Sequence, residues 1–228
     1  MKVLVTGGNG FVGNHLVHEL MQTLEVVAPS RAEMDIMDQT QIEQFLDGVD
    51  AVVHLAAYVP RGPFTGDNMN SAKCFMTNAI GTLNVLNACR AHRIKRVVYI
   101  SSVSALIPTV YGASKHAGEL LCAAYNHDFG MSCVSLRLPS VYGPGQRQDS
   151  VLPKIKAAVK NGDVYGIRPS YSQDFLFVKD LATVINRLLQ SNDVGELLMS
   201  GERVHLDELA DRLETIYGTT KLEDGLCE

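Results

Sequence analysis

The sequence predicts an α/β protein with a doubly wound parallel sheet and a small C-terminal lobe. Short apolar segments alternate with longer amphipathic ones through the first two thirds of the 228 residues. The short segments are nearly continuous apolar runs, as expected for parallel strands that are covered on both faces. Glycines follow the first run directly and precede the first amphipathic segment. This alternation indicates right-handed strand–helix–strand units, which build a doubly wound sheet.

Five apolar segments predict the strands of the main sheet, at residues 2–6, 25–28, 51–57, 96–101 and 133–138. Between them, Asp38 and Gln41 are spaced as in a capping box and predict a helix that runs through Leu46. Apolar residues at helical spacing predict a second helix over residues 77–92. A further helix that contains Tyr111 is expected to end at Gly130, because glycine readily adopts the left-handed conformation of a helix terminus.

The chain changes character after Leu138, where the segment PSVYGPGQRQDS is rich in turn residues and the later elements are shorter. We therefore expect a dinucleotide-binding domain over residues 1–138 and a substrate-binding lobe over residues 139–228. The lobe is too short to bury a large core of its own. Residues from roughly 172 to 192 are expected to return to the main sheet.

Composition argues against several classes of function. The formal net charge is −5, so no basic surface for nucleic acid or an anionic membrane is expected. No apolar segment approaches the ~18 residues that cross a bilayer, and no signal-peptide pattern is present. The five cysteines suit neither a zinc site nor a disulfide framework, which indicates free thiols in a reducing compartment. The sequence therefore predicts a cytoplasmic protein that acts on a small molecule.

Gly7, Gly10 and Gly13 lie directly between the first predicted strand and the first predicted helix. In a dinucleotide-binding turn the first glycine permits a tight turn, the second lets the backbone approach a pyrophosphate, and the third lets helix and strand pack closely. The N–H groups at the helix start, including those of Phe11 and Val12, would then face the phosphates. A glycine triplet alone also fits an ordinary strand–turn–helix, but its position after the first strand predicts a Rossmann-like site.

The GxxGxxG spacing in TGGNGFVG resembles the extended branch of the short-chain dehydrogenase/reductase superfamily. That branch contains NAD(P)-dependent epimerases, dehydratases and reductases that act largely on nucleotide sugars. Further segments are similar to motifs of this family and occur in its order: HLAA at residues 54–57, YGASK at 111–115, RLPSVYGPG at 137–145 and QDFLFVKD at 173–180. These ordered matches over nearly the whole chain make the resemblance specific.

The resemblance implies a set of cofactor contacts along the chain, at Leu55, Ala56, Ala57, Asn78, Pro139 and Ser140. The HLAA residues would lie beside the cofactor, and the asparagine would support the active site from its helix. The segment before VYGP would lie under the nicotinamide. Asp35 would contact the exocyclic amine of adenine, and Ile36 would lie against the adenine ring.

The residues after the second strand bear on the choice between NAD and NADP. An acidic residue at the end of this strand would bind the ribose hydroxyls and favour NAD, but Ser30 and Arg31 stand there instead. A guanidinium matches the geometry of a 2′-phosphate, so these two residues slightly favour NADP. The alternative is that Arg31 is an exposed loop residue, which leaves NAD open.

Tyr111 and Lys115 are four residues apart on a predicted helix and would share one face. A tyrosine has a pKa of about 10, and lowering it to about 7 takes roughly 4 kcal/mol of stabilisation of the phenolate. A neighbouring ammonium and a bound nicotinamide in a dry cleft would supply it. A YxxxK pattern alone also fits an exposed helix. By resemblance to the family, Ser102 would bind the substrate oxygen, and Ser104 would project toward the substrate.

The chain departs from the family pattern in its substrate half. Ser102 and Tyr111 are only nine positions apart, and the family usually carries a longer loop there. Ser140 replaces a common asparagine, and Gln173 replaces an arginine that binds a nucleotide-sugar pyrophosphate. By resemblance, Tyr142 and Gln173 remain candidate substrate contacts. Either the substrate is smaller than a nucleotide sugar, or the sequence lacks segments that the family has.

Two hypotheses of different classes follow. The first is an enzyme that moves hydride to or from a hydroxyl or keto carbon of a sugar or nucleotide sugar, as an epimerase, a dehydratase or a reductase. The second is a non-catalytic dinucleotide-binding sensor or regulatory subunit. The Ser102–Tyr111–Lys115 set favours the enzyme, because a sensor has no need of a phenolate. The resemblance also implies a homodimer, formed through the two helices that carry Asn78 and Tyr111.

Overall fold

The computed structural model describes residues 1–60, 70–161 and 172–217 of the chain. The structure divides into two compact units. The first comprises Met1–Leu138 with Val178–Met199, and the second comprises Pro139–Phe177 with Ser200–Glu228. Each unit is built on its own sheet.

The first unit contains a six-stranded parallel sheet. Its strands are β1 (Lys2–Thr6), β2 (Glu25–Val27), β3 (Ala51–His54), β4 (Arg96–Ser102), β5 (Ser132–Leu138) and β8 (Gly195–Leu198). They follow the order β2-β1-β3-β4-β5-β8, and each neighbouring pair is parallel. The central strands β1, β3 and β4 are buried almost throughout, which explains their continuous apolar sequences. The predicted doubly wound parallel sheet is confirmed.

Helices flank this sheet. They are α1 (Phe11–Leu20), α2 (Gln39–Glu43), α3 (Ser71–Phe75), α4 (Gly81–Ala91), α5 (Val110–Phe129) and α7 (Val178–Gln190), with a π-helix at Met76–Ile80 and a 3₁₀-helix at Val103–Leu106. α1 packs against α7, whereas α2, α4 and α5 contribute Ile42, Leu86 and Cys122 to one shared core. Because the strands are parallel, the carboxyl ends of β1, β3 and β4 lie at one edge of the sheet, where ligands bind in such folds.

Helix α5 begins and ends as its sequence indicates. The hydroxyl of Thr109 accepts a 3.0 Å hydrogen bond from the Gly112 amide and caps the first turn. Gly130 ends the helix with φ +62°, in the left-handed region, and its N–H bonds the carbonyl of Tyr125. The prediction that Gly130 terminates this helix is confirmed.

Several predicted elements have different bounds in the structure, and three of them differ by more than one residue. β3 ends at His54 rather than residue 57, and the helix predicted over residues 77–92 opens as the π-helix Met76–Ile80. α2 ends at Glu43 instead of Leu46. The Asp38 side chain does cap it by accepting from the Thr40 amide at 2.9 Å, but the Gln41 side-chain oxygen Oε1 accepts from the Asp35 amide at 2.9 Å. In the described contacts, Gln41 therefore bonds the amide of Asp35 where a closed capping box would use that of Asp38.

α7 is held to the sheet at its C-terminal end by Arg96 of β4. Arg96 is buried, with 9% of its surface exposed. Its Nε donates a hydrogen bond to the Leu188 carbonyl at 2.8 Å, and its Nη1 donates one to the Ser132 carbonyl at 3.0 Å. The Leu188 carbonyl is one of the last four of α7, which lack a partner within the helix, and it also accepts from the Ser191 amide at 3.2 Å. No helix within the described ranges combines the length and the apolarity that a membrane span requires.

The second unit is a three-stranded sheet with two helices. Its elements are β6 (Ser140–Tyr142), α6 (Val151–Asn161), β7 (Ser172–Phe177), β9 (Glu202–His205) and α8 (Leu206–Tyr217). The strand order is β6-β7-β9, with β6 parallel and β9 antiparallel to β7. Ile155, Val159, Phe175, Leu206 and Ala210 form a separate small core. The lobe is therefore organised around its own apolar cluster.

The segment that returns to the main sheet lies later than predicted. Residues 172–192 were expected there, but Ser172–Phe177 is β7 of the second unit. Val178–Met199 belongs to the first unit, and its strand β8 pairs with β5. The physical reason is that Phe175, 5% exposed, completes the core of the second unit, whereas the apolar face of α7 completes the first.

Candidate functional site

The glycine turn joins β1 to α1 in a conformation that only small residues allow. Gly7 has φ +74°, and a Cβ there would lie 2.7 Å from the Ala56 amide nitrogen after β3. A Cβ on Gly13 would lie 2.2 Å from the Gly7 carbonyl oxygen. Gly13 therefore permits close packing, as expected, but the segment that it packs against is the glycine turn itself.

The N-terminus of α1 is free of side-chain capping. Gly10 is its N-cap and has no side chain, so no cap hydrogen bond forms. The amides of Phe11, Val12 and Gly13 in the first turn have no acceptor within the helix, as in every α-helix. Uncapped amides at the positive end of a helix, next to a turn without side chains, form a cradle that fits a pyrophosphate.

Glu33 lies in the turn that follows β2, in the region where an adenosine ribose would be expected. Its carboxylate accepts a 2.7 Å hydrogen bond from the Ser30 amide. Hydrogen bonds from the hydroxyl and the amide of Ser30 lower the pKa of Glu33, which keeps it charged. Glu33 was not among the predicted site residues, although the S-x-x-E spacing of residues 30–33 is a capping-box signal.

Arg31 and Asp35 form an exposed pair beside it. The Arg31 side chain is 71% exposed, and its Nη2 lies 3.8 Å from Asp35 Oδ2. Asp35 Oδ1 accepts from the Met37 amide at 3.0 Å. Ile36 is only 6% exposed and fills the space left by Gly81, because a Cβ on that glycine would lie 2.6 Å from Ile36 Cδ1. Ile36 is thus a core residue, and its predicted contact with adenine stays a prediction.

His54 connects β1, β3 and the helices through buried hydrogen bonds. The Thr82 hydroxyl donates to the Asn78 carbonyl at 2.6 Å, so it must accept from His54 Nε2, which lies 3.0 Å away. His54 Nδ1 then accepts from the Thr6 hydroxyl at 2.6 Å. Thr6 Oγ1 in turn accepts from the Ala56 amide at 3.1 Å. The imidazole is therefore held in one neutral tautomer.

The environment of His54 keeps it neutral. Burial, with a smaller contribution from the charge of Lys115, lowers the pKa of His54 to about 3. The main chain beyond it is fixed as well, because the Leu55 amide donates to the Thr6 carbonyl at 3.1 Å. Leu55, Ala56 and Ala57 thus follow directly on the carboxyl end of β3, at the edge where the glycine turn lies.

Asn78 lies in the π-helix and joins two segments of the site. Its Oδ1 accepts from the Tyr58 amide at 2.7 Å, and its Nδ2 donates to the Tyr58 carbonyl at 3.0 Å. Nδ2 also donates to Ser114 Oγ at 2.9 Å, on α5 between Tyr111 and Lys115. Isolated π-helical turns frequently occur at functional sites. Asn78 therefore supports α5 directly, as the resemblance implied only in general terms.

Ser102 and Ser104 lie in a tight turn against the start of α5. Ser102 Oγ accepts from the Ser104 amide at 3.1 Å and begins the 3₁₀-helix. A Cβ on Gly112 would lie 2.3 Å from the carbonyl oxygens of both Ser104 and Ile107. The short connection thus packs directly on the helix residue that follows Tyr111, which brings the predicted serines and tyrosine together.

Lys115 is a buried lysine next to Tyr111. It is 3% exposed, and Tyr111 is 9% exposed. The Lys115 ammonium lies 4.5 Å from the centroid of the Tyr99 ring. Among the residues that the structure describes, no carboxylate lies within ion-pair distance of this ammonium. Burial lowers the pKa of Lys115 to about 8. A buried cation without an ion pair is costly and marks a candidate functional residue.

The remaining predicted site residues belong to the second unit. Pro139 precedes β6, and Gln173 Nε2 donates to Ser140 Oγ across β6 and β7. The Tyr142 ring packs against Phe177 with a centroid distance of 5.4 Å. The two residues that depart from the family pattern thus bond each other. Within the described residues, no group of three or more His, Cys, Asp or Glu side chains could hold a metal ion.

The sequence is similar to known proteins over most of its length. Residues 3–199 match the family described as the NAD dependent epimerase/dehydratase family. An uncharacterized UDP-glucose epimerase of Bacillus subtilis, YtcB, is 29% identical over 266 residues, which cover 96% of this chain and 83% of that protein. A dTDP-glucose 4,6-dehydratase of Streptomyces niveus is 30% identical over 264 residues, covering 93% of this chain and 76% of that protein.

Solved structures share the fold. The UDP-glucuronic acid 4-epimerase of Bacillus cereus, solved with UDP-glucuronic acid and NAD, is 26% identical with a TM-score of 0.83, covering 97% of this chain and 86% of that one. The UDP-glucose 4-epimerase of Thermotoga maritima, solved with UDP-glucose, has a TM-score of 0.85 over 99% of this chain and 86% of that one. At 21% identity, this second likeness bears on the fold alone.

Proposed function

Because this chain belongs to the NAD dependent epimerase/dehydratase family, we propose that it oxidises a hydroxyl carbon of a nucleotide sugar, as the first step of an epimerisation or a dehydration. The observation that carries this proposal is the buried Lys115 ammonium, without a carboxylate partner among the described residues and on the same helix face as Tyr111. Neither a structural core nor a cofactor sensor needs a buried cation one helical turn from a buried tyrosine.

Tyr111 is the proposed acid–base group. As the phenolate it accepts the proton of the sugar hydroxyl, and the phenol that forms returns this proton when a keto group is reduced. The Lys115 ammonium stabilises the phenolate, because opposite charges in a dry site interact strongly. Ser102 Oγ already accepts from the Ser104 amide, so its own proton is available to donate to the sugar oxygen. The bound nicotinamide supplies the hydride acceptor and donor.

The cofactor is held, in this proposal, by the uncapped start of α1 and by the ends of β2 and β3. We propose NAD rather than the NADP that Arg31 suggested. The Glu33 carboxylate bonds the Ser30 amide, and its negative charge in the turn after β2 would oppose a 2′-phosphate bound there. The Arg31 guanidinium lies 3.8 Å from the Asp35 carboxylate, which makes Arg31 a weaker candidate for binding a 2′-phosphate.

The proposed substrate is a nucleotide sugar, as in the names of the relatives. The contact between Gln173 and Ser140 means that its diphosphate is bound differently from the family pattern, or less tightly.

We also propose a homodimer through α4 and α5. Leu120 on α5 is 56% exposed and available to such an interface, whereas Tyr125, at 7%, belongs to the core. Light scattering at micromolar concentration should give twice the mass of one chain, and a monomer would refute the dimer.

Cytoplasmic action is part of the same proposal. Cys74, Cys89, Cys122 and Cys133 are free and buried, and free thiols are typical of reducing compartments.

The test of the proposed function is a substrate panel. The protein is incubated with NAD or NADP and with UDP- and dTDP-linked hexoses, and products are identified by NMR. We expect a 4-keto intermediate, an epimer or a dehydrated sugar from at least one donor. Cofactor binding without turnover on the whole panel would contradict the enzyme and support the sensor.

A further inference from the structure

Glu119 is a buried carboxylate that the proposed reaction does not use. It is 1% exposed and lies on α5, four residues after Lys115 and eight after Tyr111. Residues at these intervals follow one face of a helix. A buried carboxylate is costly unless charged and polar partners compensate it. Its partners therefore indicate what the residue does.

The Glu119 carboxylate joins α5 to two strands. Oε1 accepts from Ser101 Oγ at 2.6 Å and from Arg137 Nε at 2.8 Å, and Oε2 accepts from Arg137 Nη2 at 2.7 Å. Ser101 and Arg137 face each other in the register of β4 and β5. His116 Nδ1 lies 3.0 Å from Oε2 on the same helix. Burial raises the pKa of Glu119, but the hydrogen bonds from Arg137, Ser101 and His116 outweigh it and lower the pKa.

A second contact fixes the same part of α5 on β4. A Cβ on Gly118 would lie 2.3 Å from the Tyr99 hydroxyl, so helix and strand approach closely there. The Tyr99 hydroxyl donates to the Lys115 carbonyl at 3.3 Å. Tyr99 and Ser101 are two residues apart on β4 and share one face. Both anchors therefore lie within the three residues before Ser102, the proposed substrate-binding serine.

We infer that Glu119 is a positioning residue that fixes α5 on the carboxyl ends of β4 and β5, so that Tyr111 and Lys115 keep their places relative to Ser102. In the short connection after Ser102, Leu106 is 66% exposed and Ile107 is 51% exposed. Because these apolar side chains pack little, the connection cannot hold α5 in place of Glu119. The inference rests on the proposed function, because the residues that Glu119 positions are the proposed catalytic ones.

The charge of Glu119 also allows a test without substrate, through the pKa of Lys115. Burial lowers the pKa of Lys115 to about 8, while Glu119 is among the groups whose charge raises it. The titratable groups that act on or adjoin this ammonium are Cys122, Glu119, Cys74, His54, Tyr99 and Tyr111. Glu119→Gln removes one negative charge from this set. The pKa of Lys115 is then expected to fall below its wild-type value.

The experiment compares Glu119→Gln with Asn126→Ala. Asn126 also ties α5 to β5, through 2.8 Å and 2.6 Å bonds to the Cys133 carbonyl and amide, but at the opposite end of the strand. We expect Glu119→Gln to lower kcat by about 10- to 100-fold, since a misplacement of about 1 Å can cost 10²-fold. KM and the cofactor Kd should stay within about threefold, as for a defect in positioning rather than binding. Asn126→Ala should lose thermal stability and keep kcat.

The pKa of Lys115 is read by ¹³C NMR of labelled lysine, in wild type and Glu119→Gln without substrate. A kcat within threefold of wild type together with an unchanged Lys115 pKa would overturn the inference. If Glu119→Gln does not fold, Ser101→Ala removes one anchor and leaves the Arg137 pair. It should lower kcat several-fold at unchanged KM, and no change in kcat would equally overturn the inference. A wild type without turnover on any sugar contradicts the proposed function instead, and leaves the NMR comparison to decide on Glu119.

Discussion

His54 Nε2 donates a 3.0 Å hydrogen bond to Thr82 Oγ1, whose own proton is committed to the Asn78 carbonyl. This relationship excludes the other neutral tautomer and leaves no place for a second ring proton, because Nδ1 already accepts from Thr6. The end of β1, the end of β3 and the π-helix are thus joined through one imidazole that must remain neutral.

Acid should therefore destabilise the fold through His54. Its pKa is about 3 in the folded state and near 6.5 when unfolded, so between these values the unfolded state binds more protons. The stabilising contribution is complete above pH 6.5 and declines as pH falls toward 3, by about 1.4 kcal/mol per pH unit. Urea unfolding at pH 7, 6 and 5 measures this slope.

A matched control is the exposed His127, whose side chain is 89% exposed. His127→Asn should leave the acid slope unchanged. In ¹⁵N NMR of the wild type, the His54 ring should keep the Nε2–H tautomer down to pH 5. A ring that titrates near pH 6.5 would contradict this description of the network.

The glycine turn gives a prediction for cofactor binding. Gly10 has φ −76°, which other residues adopt, and a Cβ there would lie 3.3 Å from the Gly7 carbonyl oxygen. If the uncapped start of α1 holds the pyrophosphate, Gly10→Ala should weaken NADH binding, and Gly10→Val should weaken it by about tenfold or more. Calorimetry measures the affinities, and thermal melts report any loss of folding. Equal affinity in the three proteins would remove the phosphates from this turn.

The choice of cofactor is tested by two neighbouring substitutions. If Glu33 opposes a 2′-phosphate, wild type should bind NADH more tightly than NADPH, and Glu33→Gln should raise NADPH affinity several-fold without changing NADH. Arg31→Ala should change both affinities little, because Arg31 is largely exposed. The opposite pattern, a 10- to 100-fold loss of NADPH alone in Arg31→Ala, would return the chain to NADP; such a loss is about 1.4–2.8 kcal/mol.

Much of the fold could be predicted from local sequence, because continuous apolar strands, a glycine turn and a helix-ending glycine are local signals. The five predicted strands of the main sheet all exist, with ends that differ by a few residues. The destination of residues 172–192 could not be predicted in this way. β7 pairs with β6 and β9, and only the two competing cores decide which unit takes Phe175.

Residues of the candidate site could be predicted where they belong to a sequence motif. They could not be predicted where their role depends on tertiary contacts. YGASK indicated Tyr111 and Lys115, and both are buried together on α5. Glu119 lies outside any motif used, and its importance depends on Arg137, eighteen residues later. Ile36 was predicted beside adenine, but its burial against Gly81 could be known only from the fold.

Tyr111→Phe tests the central claim most directly, with Tyr125→Phe as its control. Both remove one hydroxyl from α5, and that of Tyr125 donates to Asn87 Oδ1 at 2.5 Å on α4. The measurement is kcat on the sugar identified by the panel, with NADH affinity measured in parallel. We expect a loss of about 10²- to 10⁴-fold for Tyr111→Phe, with NADH affinity within a few-fold, and no such loss for Tyr125→Phe. A kcat for Tyr111→Phe within tenfold of wild type would contradict the assignment.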